Sequence, residues 1–157
     1  MILKYPSFSI SIVFISWIVG MLINAFIKKT DFYNKHLNHL NFIKSEKANK
    51  IIGMHFFKWI VKNTFFKFFN QKLKLKCKIE KADLIKLRAE MTTSEIDHLI
   101  AFIFVTCFAI VAFYNLKFKS AGTIMFVNVL MNLYPSLLQQ ENKRRIDRFF
   151  NKFQGLS

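Results

Sequence analysis

The chain has 157 residues, of which 53% are apolar and 20 are phenylalanine, yet 24 Lys and Arg stand against 9 Asp and Glu, giving a formal net charge of +15. This composition excludes an ordinary soluble domain, because it is both too apolar and too basic. A soluble protein of this charge would be expected to bind nucleic acid, but here the placement of the charge indicates a membrane protein.

The basic residues follow a membrane topology. One precedes Phe8, 16 lie between Lys28 and Arg88, two lie between the last two apolar runs, and five follow Leu138. Three spans with the amino terminus outside place 21 of the 24 on the cytoplasmic side, which is the positive-inside pattern. We therefore predict an all-α multi-pass protein of the cell (inner) membrane, with a cytoplasmic carboxyl terminus and no nucleic-acid partner.

The first apolar run covers about residues 8–27. We interpret it as a retained span, because a signal peptide has a shorter apolar core and a small-residue cleavage site. Gly20 and Asn24 lie four residues apart, so one side of this helix is small and polar. Close helix packing with one hydrogen bond across an interface explains that side, and a substrate contact by Asn24 is the alternative.

The polar segment that follows carries no metal-site pattern. His36 and His39 could touch on a helix, but no carboxylate or third ligand accompanies them, so we expect exposed polar side chains. Cys77 lies in the basic loop and Cys107 in an apolar span, which supports neither a disulfide nor a zinc site. We expect no metal and no cofactor.

Residues 51–69 form the most amphipathic stretch of the chain. Lys58, Lys62 and Asn63 interrupt an aromatic and aliphatic run. Two lysines in a central span are costly, whereas a helix in the headgroup plane can turn them to lipid phosphates. We predict an interfacial or re-entrant helix on the cytoplasmic face, with a fourth span as the alternative.

The second span covers about residues 98–116. It includes 18 uncharged residues, from Leu99 to Leu116, about the length needed to cross a bilayer core as a helix. From about Lys81, apolar residues recur at helical spacing, which predicts a helix that feeds into this span.

Ionisable residues stand where the second span begins, at the membrane boundary. Glu95 and His98 are three residues apart and share a helix face, whereas we expect Asp97 to point elsewhere. Arg88 lies seven residues before Glu95, on nearly the same face. The pair of Glu95 and His98 is our candidate catalytic site.

The third span covers about residues 120–138 and carries polar residues at regular steps. Steps of three or four predict one continuous stripe in a helix. The stripe consists of Asn128, Asn132, Pro135, Gln139, Asn142 and Arg145. Amides in hydrocarbon need partners, so the stripe must face protein or a wet cavity.

Pro135 lies within this stripe and predicts a local break in the helix. It cannot donate a backbone hydrogen bond, so it should free a carbonyl near Met131 and kink the helix beside Asn132. Such a break next to amides suits a binding site, and helix packing through amides is the alternative. The basic segment 139–157 is predicted as a cytoplasmic tail, for which a stop-transfer anchor is the simplest explanation.

Two blocks of the sequence stand out together. Glu95-x-x-His98 precedes an apolar span, and Asn132-x-x-Pro135 precedes Gln139-x-x-Asn142, a basic pair and Arg145. These blocks resemble the glycosyl-4,4'-diaponeurosporenoate acyltransferase (CrtO-type) family of small membrane proteins, and the segment from Gly53 to Leu75 is similar to that family's amphipathic stretch.

The resemblance implies an enzyme that esterifies a sugar hydroxyl of a glycosylated carotenoid with a fatty acyl group. Lys143 stands where the family usually has Arg. The residues that the resemblance carries over as functional positions are Glu95, His98, Asn132, Gln139, Asn142 and Arg145.

The chemistry of these residues fits acyl transfer to an alcohol. A His with a carboxylate partner is the usual side-chain base for a hydroxyl proton, and amides or a guanidinium can stabilise an oxyanion or hold a phosphate-bearing donor. No Ser or Cys stands beside them as a nucleophile, which favours direct transfer. The predicted substrate-binding residues are Arg88, Asn128, Asn132, Gln139, Asn142 and Arg145.

The expected partners are a membrane lipid or glycolipid and an acyl donor, either acyl-CoA or acyl carrier protein. The alternative function is a non-catalytic subunit or scaffold of a larger membrane complex, in which the polar stripe binds a helix of another membrane protein or of a second copy. A channel or transporter is disfavoured, because three spans enclose little path without oligomerisation.

Overall fold

The computed structural model describes residues 4–43, 45–63 and 81–154, and every regular element in these ranges is helical. This confirms the predicted all-α fold class. The seven α-helices of the described ranges are α1 (Lys4–Ile27), α2 (Asp31–Lys35), α3 (Glu46–Ile51), α4 (Met54–Asn63), α5 (Lys81–Tyr114), α6 (Phe118–Asn128) and α7 (Tyr134–Gln154).

Three helices are long and apolar enough to cross a membrane, as predicted: Tyr5–Ile27, Lys81–Tyr114 and Phe118–Asn151. The third includes α6, a π-helical turn, Val129–Leu133, and α7 as far as Asn151. The predicted spans 8–27 and 120–138 lie within these helices, and the predicted span 98–116 extends two residues beyond the end of α5 at Tyr114. Residues 139–154, predicted as part of a tail, continue α7 as a helix.

The three long helices pack around a small apolar core. Val13 of α1, Val105 of α5 and Ile124 of α6 are 0 to 2% exposed and form its centre. Many other large apolar residues of these helices are exposed, as expected for side chains that face lipid. The predicted helix that feeds into the second span is confirmed, because α5 runs without a break from Lys81 to Tyr114.

The described part of the amphipathic segment, residues 51–63, contains the last residue of α3, a turn at Gly53, whose φ of +74° favours glycine, and then α4. Met54 and Phe57 of α4 pack against Leu137 of α7. The expectation that its lysines turn to lipid phosphates is wrong for Lys58, which forms an ion pair with a carboxylate of α7. Residues 64–69 of the predicted interfacial helix lie outside the described residues, as does Cys77.

The connection after α2 crosses α5 and α7 at one end of the bundle. The Asn38 side chain accepts hydrogen bonds from α5, and the Phe42 N–H donates to Gln140 Oε1 of α7 at 2.9 Å. The Arg144 guanidinium donates to Asn41 Oδ1 at 3.0 Å. This segment therefore holds α5 and α7 together at one end of the bundle.

Candidate functional site

The first wall of the site is the close contact between α1 and α5. A Cβ placed on Gly20 would lie only 2.3 Å from the Asp97 carbonyl oxygen, so only glycine allows this approach. Asn24 Nδ2 donates to the Thr93 carbonyl at 3.0 Å and to Asp97 Oδ1 at 2.7 Å. The small polar side of α1 is thus a helix contact closed by hydrogen bonds, the first of the two interpretations of Gly20 and Asn24.

Tyr33 of α2 lies next to the contact between α1 and α5. Its side chain is buried beside Asn24 and Thr93, and burial raises the pKa of its phenol above the usual value. The hydroxyl has no hydrogen-bond partner among the described residues, although Asn24 and Thr93 lie close to it.

A hydrogen-bonded amide network lies deeper in the bundle. Asn132 Nδ2 donates to Asn128 Oδ1 at 2.8 Å, and Asn132 Oδ1 accepts from Trp17 Nε1 at 2.8 Å. Asn128 Nδ2 donates to the Phe102 carbonyl at 3.0 Å and to Thr106 Oγ1 at 3.1 Å. Both amides are fully buried, and their partners lie on α1 and α5, so they link the third long helix to the other two.

The π-helical turn divides the predicted polar stripe in two. A π turn adds one residue to the α-helical count, so the residues after it face a direction shifted by about one position. The fully buried polar row continues through Ser136, Gln140 and Lys143, which are 0, 1 and 3% exposed. Pro135 and Gln139 face a cavity instead. The prediction of one continuous stripe is therefore wrong, and the expected break at Pro135 takes the form of this turn.

A cavity of about 660 Å³ lies between α1, α4, α5 and the third long helix. Its polar wall consists of Ser94, Asp97 and His98 from α5 and Gln139 from α7. The rest is largely apolar and includes Trp17, Ile10, Phe57, Val127, Leu130 and Met131. A mostly apolar cavity with a few convergent polar groups has the character of a small-molecule or lipid site.

His98 is held in the cavity wall by an aromatic contact and an amide. Its ring meets the Trp17 ring edge to face, with the centroids 6.0 Å apart. The Asn132 side chain lies within hydrogen-bonding reach of the imidazole. Nδ1 is buried and has no hydrogen-bond partner among the described residues. The ring therefore has a fixed orientation and an unused nitrogen.

Glu95 lies away from the imidazole. It is fully buried and forms an ion pair with Lys143 of α7, and Gln140 lies beside it. No hydrogen bond joins Glu95 to His98 in the described part of the chain. The expected contact in which Glu95 orients His98 is therefore not formed, because Glu95 faces α7 and His98 faces the cavity.

The predicted substrate-binding residues divide into three groups. Gln139 lines the cavity, and Asn142 lies beside it with a 3.5 Å hydrogen bond to Gln139 Oε1. Asn128 and Asn132 belong to the buried network. The two arginines form ion pairs outside the cavity, Arg88 with Asp147 at 2.6 Å and Arg145 with Glu141 at 2.9 Å.

The structure adds cavity residues that the sequence analysis did not select. Asp97, expected to point elsewhere, lines the cavity next to His98, because α5 presents successive residues on both sides of its contact with α1. Trp17 and Ser94 also line it, so the expectation that no Ser stands beside the candidate catalytic residues is wrong for Ser94. A signal for Trp17 was available, since it is the one tryptophan of the first apolar run.

The described residues include no group of three or more His, Cys, Asp or Glu that could hold a metal ion. The polar end of the cavity instead offers an imidazole, a carboxylate, an amide and a hydroxyl. An imidazole can accept a proton and an amide N–H can donate to a developing oxyanion. The arrangement therefore suits proton transfer at a hydroxyl or an acyl carbonyl.

Comparison with protein families gave a match over residues 28–152 to the family described as glycosyl-4,4'-diaponeurosporenoate acyltransferase. The matched region includes α2 to α5, both blocks of the sequence signature and most of α7. Comparison with the curated proteins and with the solved structures gave no match.

Proposed function

Because the chain belongs to the glycosyl-4,4'-diaponeurosporenoate acyltransferase family, we propose that it transfers a fatty acyl group to a sugar hydroxyl of a membrane glycolipid. The observation that carries the proposal is the largely apolar cavity of about 660 Å³ that His98, Asp97 and Gln139 all line. The family supports a glycosylated carotenoid as the acceptor.

In the proposed reaction the acceptor hydroxyl lies at the polar end of the cavity. His98 takes its proton while the hydroxyl oxygen attacks the acyl carbonyl carbon. The bond from that carbon to the donor sulfur then breaks, an ester forms, and the proton passes to the leaving thiol of acyl-CoA or acyl carrier protein. In this proposal Gln139, which also lines the cavity, donates to the carbonyl oxygen as it gains charge.

The remaining signature residues hold this site in place. Asn132 orients the imidazole and Trp17, and the ion pair of Glu95 with Lys143 fixes α5 against α7. We assign Glu95 a positioning role, since its carboxylate faces Lys143. Arg145 lies midway along α7, where its half-exposed side chain pairs with Glu141, and we assign it the binding of a phosphate-bearing donor.

The proposed location is the cell (inner) membrane, with the polar end of the cavity near the cytoplasmic surface. This orientation follows from the excess of Lys and Arg in the segments 28–88 and 139–157. It places the site on the side where acyl-CoA and acyl carrier protein are found, and it leaves the apolar part of the cavity at membrane depth.

The alternative, a non-catalytic subunit, has less support. A stripe that binds a partner helix needs free polar groups, but the Asn128 and Asn132 side chains bond to each other and to α1 and α5. A stoichiometric partner after purification in mild detergent, together with full function of His98→Ala, would favour the scaffold.

The proposal is tested by comparing lipid extracts of cells that express wild type, His98→Ala or Glu95→Gln. Loss of general base catalysis should lower the acylated glycolipid about 100-fold or more in His98→Ala. His36→Ala is the matched control, because His36 is exposed and outside the cavity, and it should behave as wild type. Unchanged acylated lipid in correctly inserted His98→Ala would refute the proposal.

A further inference from the structure

The cavity extends far beyond the groups that the proposed transfer uses. On α1 its wall runs from Met21 to Ile10. Gly20, next to Met21, touches the Asp97 carbonyl and so marks the depth of the polar end. Ten residues separate Gly20 from Ile10, so at about 1.5 Å per residue Ile10 lies about 15 Å along α1 from that level.

The third long helix also indicates that the cavity extends away from its polar end in the direction of Ile10. Asn128 bonds to the Phe102 carbonyl, which is one helical turn beyond His98 on α5. Its neighbour Val127 therefore lines the cavity about one turn beyond the imidazole. The side chains that line the cavity on this side of His98 are apolar, whereas Ser94 and Gln139 lie at the opposite end.

A slot that is polar at one end and apolar along its length matches the shape of a fatty acyl group. In an extended acyl chain each carbon–carbon bond of about 1.5 Å adds somewhat less than 1.5 Å to the length of the chain. A cavity about 15 Å deep therefore accommodates roughly a dozen carbons. A rigid polyene as long as that of a carotenoid exceeds this depth.

We propose that the cavity is the acyl-chain pocket of the transferase, with the acyl carbonyl at His98 and the methyl end at Ile10, and that Ile10 sets the preferred chain length. The inference rests on the proposed function and adds which lipid chain enters the pocket and which residue measures it. Ile10 is 42% exposed and lies outside the core cluster of the three helices, so its replacement should change the pocket without unfolding the bundle.

The first test measures transfer from a series of straight-chain acyl donors of increasing length. Ile10→Trp should shorten the preferred chain, with a loss of about fourfold for each methylene that no longer fits, equivalent to about 0.8 kcal/mol. Ile10→Ala should extend the preference to longer chains. Ile15→Trp and Ile15→Ala are the matched controls, since Ile15 is exposed on the same helix but does not line the cavity. Identical length profiles for all five proteins would overturn the inference.

The second test reads binding without activity. The chain has two tryptophans, so Trp59→Phe leaves Trp17 as the single fluorophore, beside His98. Fatty acids brominated near the carboxyl end should quench Trp17 more strongly than those brominated near the methyl end, and Ile10→Phe, which adds bulk without a second tryptophan, should weaken the binding of long chains. Equal quenching by all positions, or displacement of the fatty acid by a glycolipid's polyene, would contradict the inference.

The two tests separate the inference from the function on which it rests. If wild type transfers acyl groups and the Ile10 variants prefer the same chain lengths, the proposed role of Ile10 is refuted and the acyltransferase function is supported. If quenching depends on the bromine position but the protein transfers no acyl group, the acyl-chain pocket is supported and the acyltransferase function is refuted.

Discussion

Glu95 and Lys143 form a buried ion pair that joins α5 to α7, with side chains 0 and 4% exposed. His98, three residues after Glu95 on α5, faces the cavity. Gln139, four residues before Lys143 on α7, also faces it. The pair therefore fixes the two helices that supply the polar end of the site. A buried charge without its partner is strongly unfavourable, so this contact determines whether the site is assembled.

Removing one charge of this pair should destabilise the protein strongly. We expect Lys143→Met to lower the free energy of unfolding by about 3–5 kcal/mol, because it leaves the Glu95 carboxylate buried without a partner. Lys143→Arg should retain most of the stability, and the double variant Glu95→Leu/Lys143→Met should recover much of the loss. Unfolding in detergent followed by circular dichroism measures this, and a Lys143→Met protein as stable as wild type would show that the pair is unimportant.

Gly20 should not tolerate a side chain. A Cβ at this position meets the Asp97 backbone, which cannot move without separating α1 from α5, so Gly20→Ala should cost about 1–3 kcal/mol. Gly122→Ala is the matched control, because nothing lies within 4 Å of a Cβ there and alanine favours the helix. Equal thermal stability of the two variants would contradict the close packing of α1 on α5.

The Asn132 amide should contribute to both stability and activity. Asn132→Leu leaves the Asn128 amide and the Trp17 N–H without their partner, so we expect a loss of about 1–3 kcal/mol and a marked fall in transfer. Asn63→Leu is the control, since Asn63 is exposed and its side chain donates to the Trp59 carbonyl of its own helix, α4. The comparison needs both an unfolding curve and a transfer rate, and a fully active Asn132→Leu would argue against its orienting role.

The three long helices were predictable because each rests on a local signal, an uncharged apolar run of membrane length. The contacts across helices were not. Glu95 and Lys143 are far apart in sequence. Helical spacing predicts on which face of its own helix each residue lies, but not which other helix that face contacts. The sequence therefore suggested His98 as the partner of Glu95, which is the nearest choice along the chain.

The prediction of one continuous polar stripe was wrong for a different physical reason. Its continuity assumed one helical period from Asn128 to Arg145, and the π turn before Pro135 changes that period once. After the turn, Gln140 takes the buried position and Gln139 faces the cavity. Pro135 signalled a disturbance in the backbone, but the sequence did not show that the disturbance would be an added residue rather than a kink.

The predicted topology places α1 and α5 with their joined polar ends at the cytoplasmic surface. With both native cysteines replaced by serine, a membrane-impermeant maleimide should label Lys119→Cys in intact cells and Lys29→Cys only after permeabilisation. Both positions are exposed, and they lie at opposite ends of the long helices. The reverse labelling pattern would invert the orientation and move the site to the outer surface.

The most direct measurement of the central claim is chemical rescue of His98→Ala in reconstituted vesicles. Removing the imidazole leaves a space in the cavity wall beside Trp17, so free imidazole should enter it and act as the base. The account predicts that transfer falls about 100-fold or more in the variant and rises with imidazole concentration, while wild type is unaffected. Transfer by His98→Ala at the wild-type rate without imidazole would contradict the account.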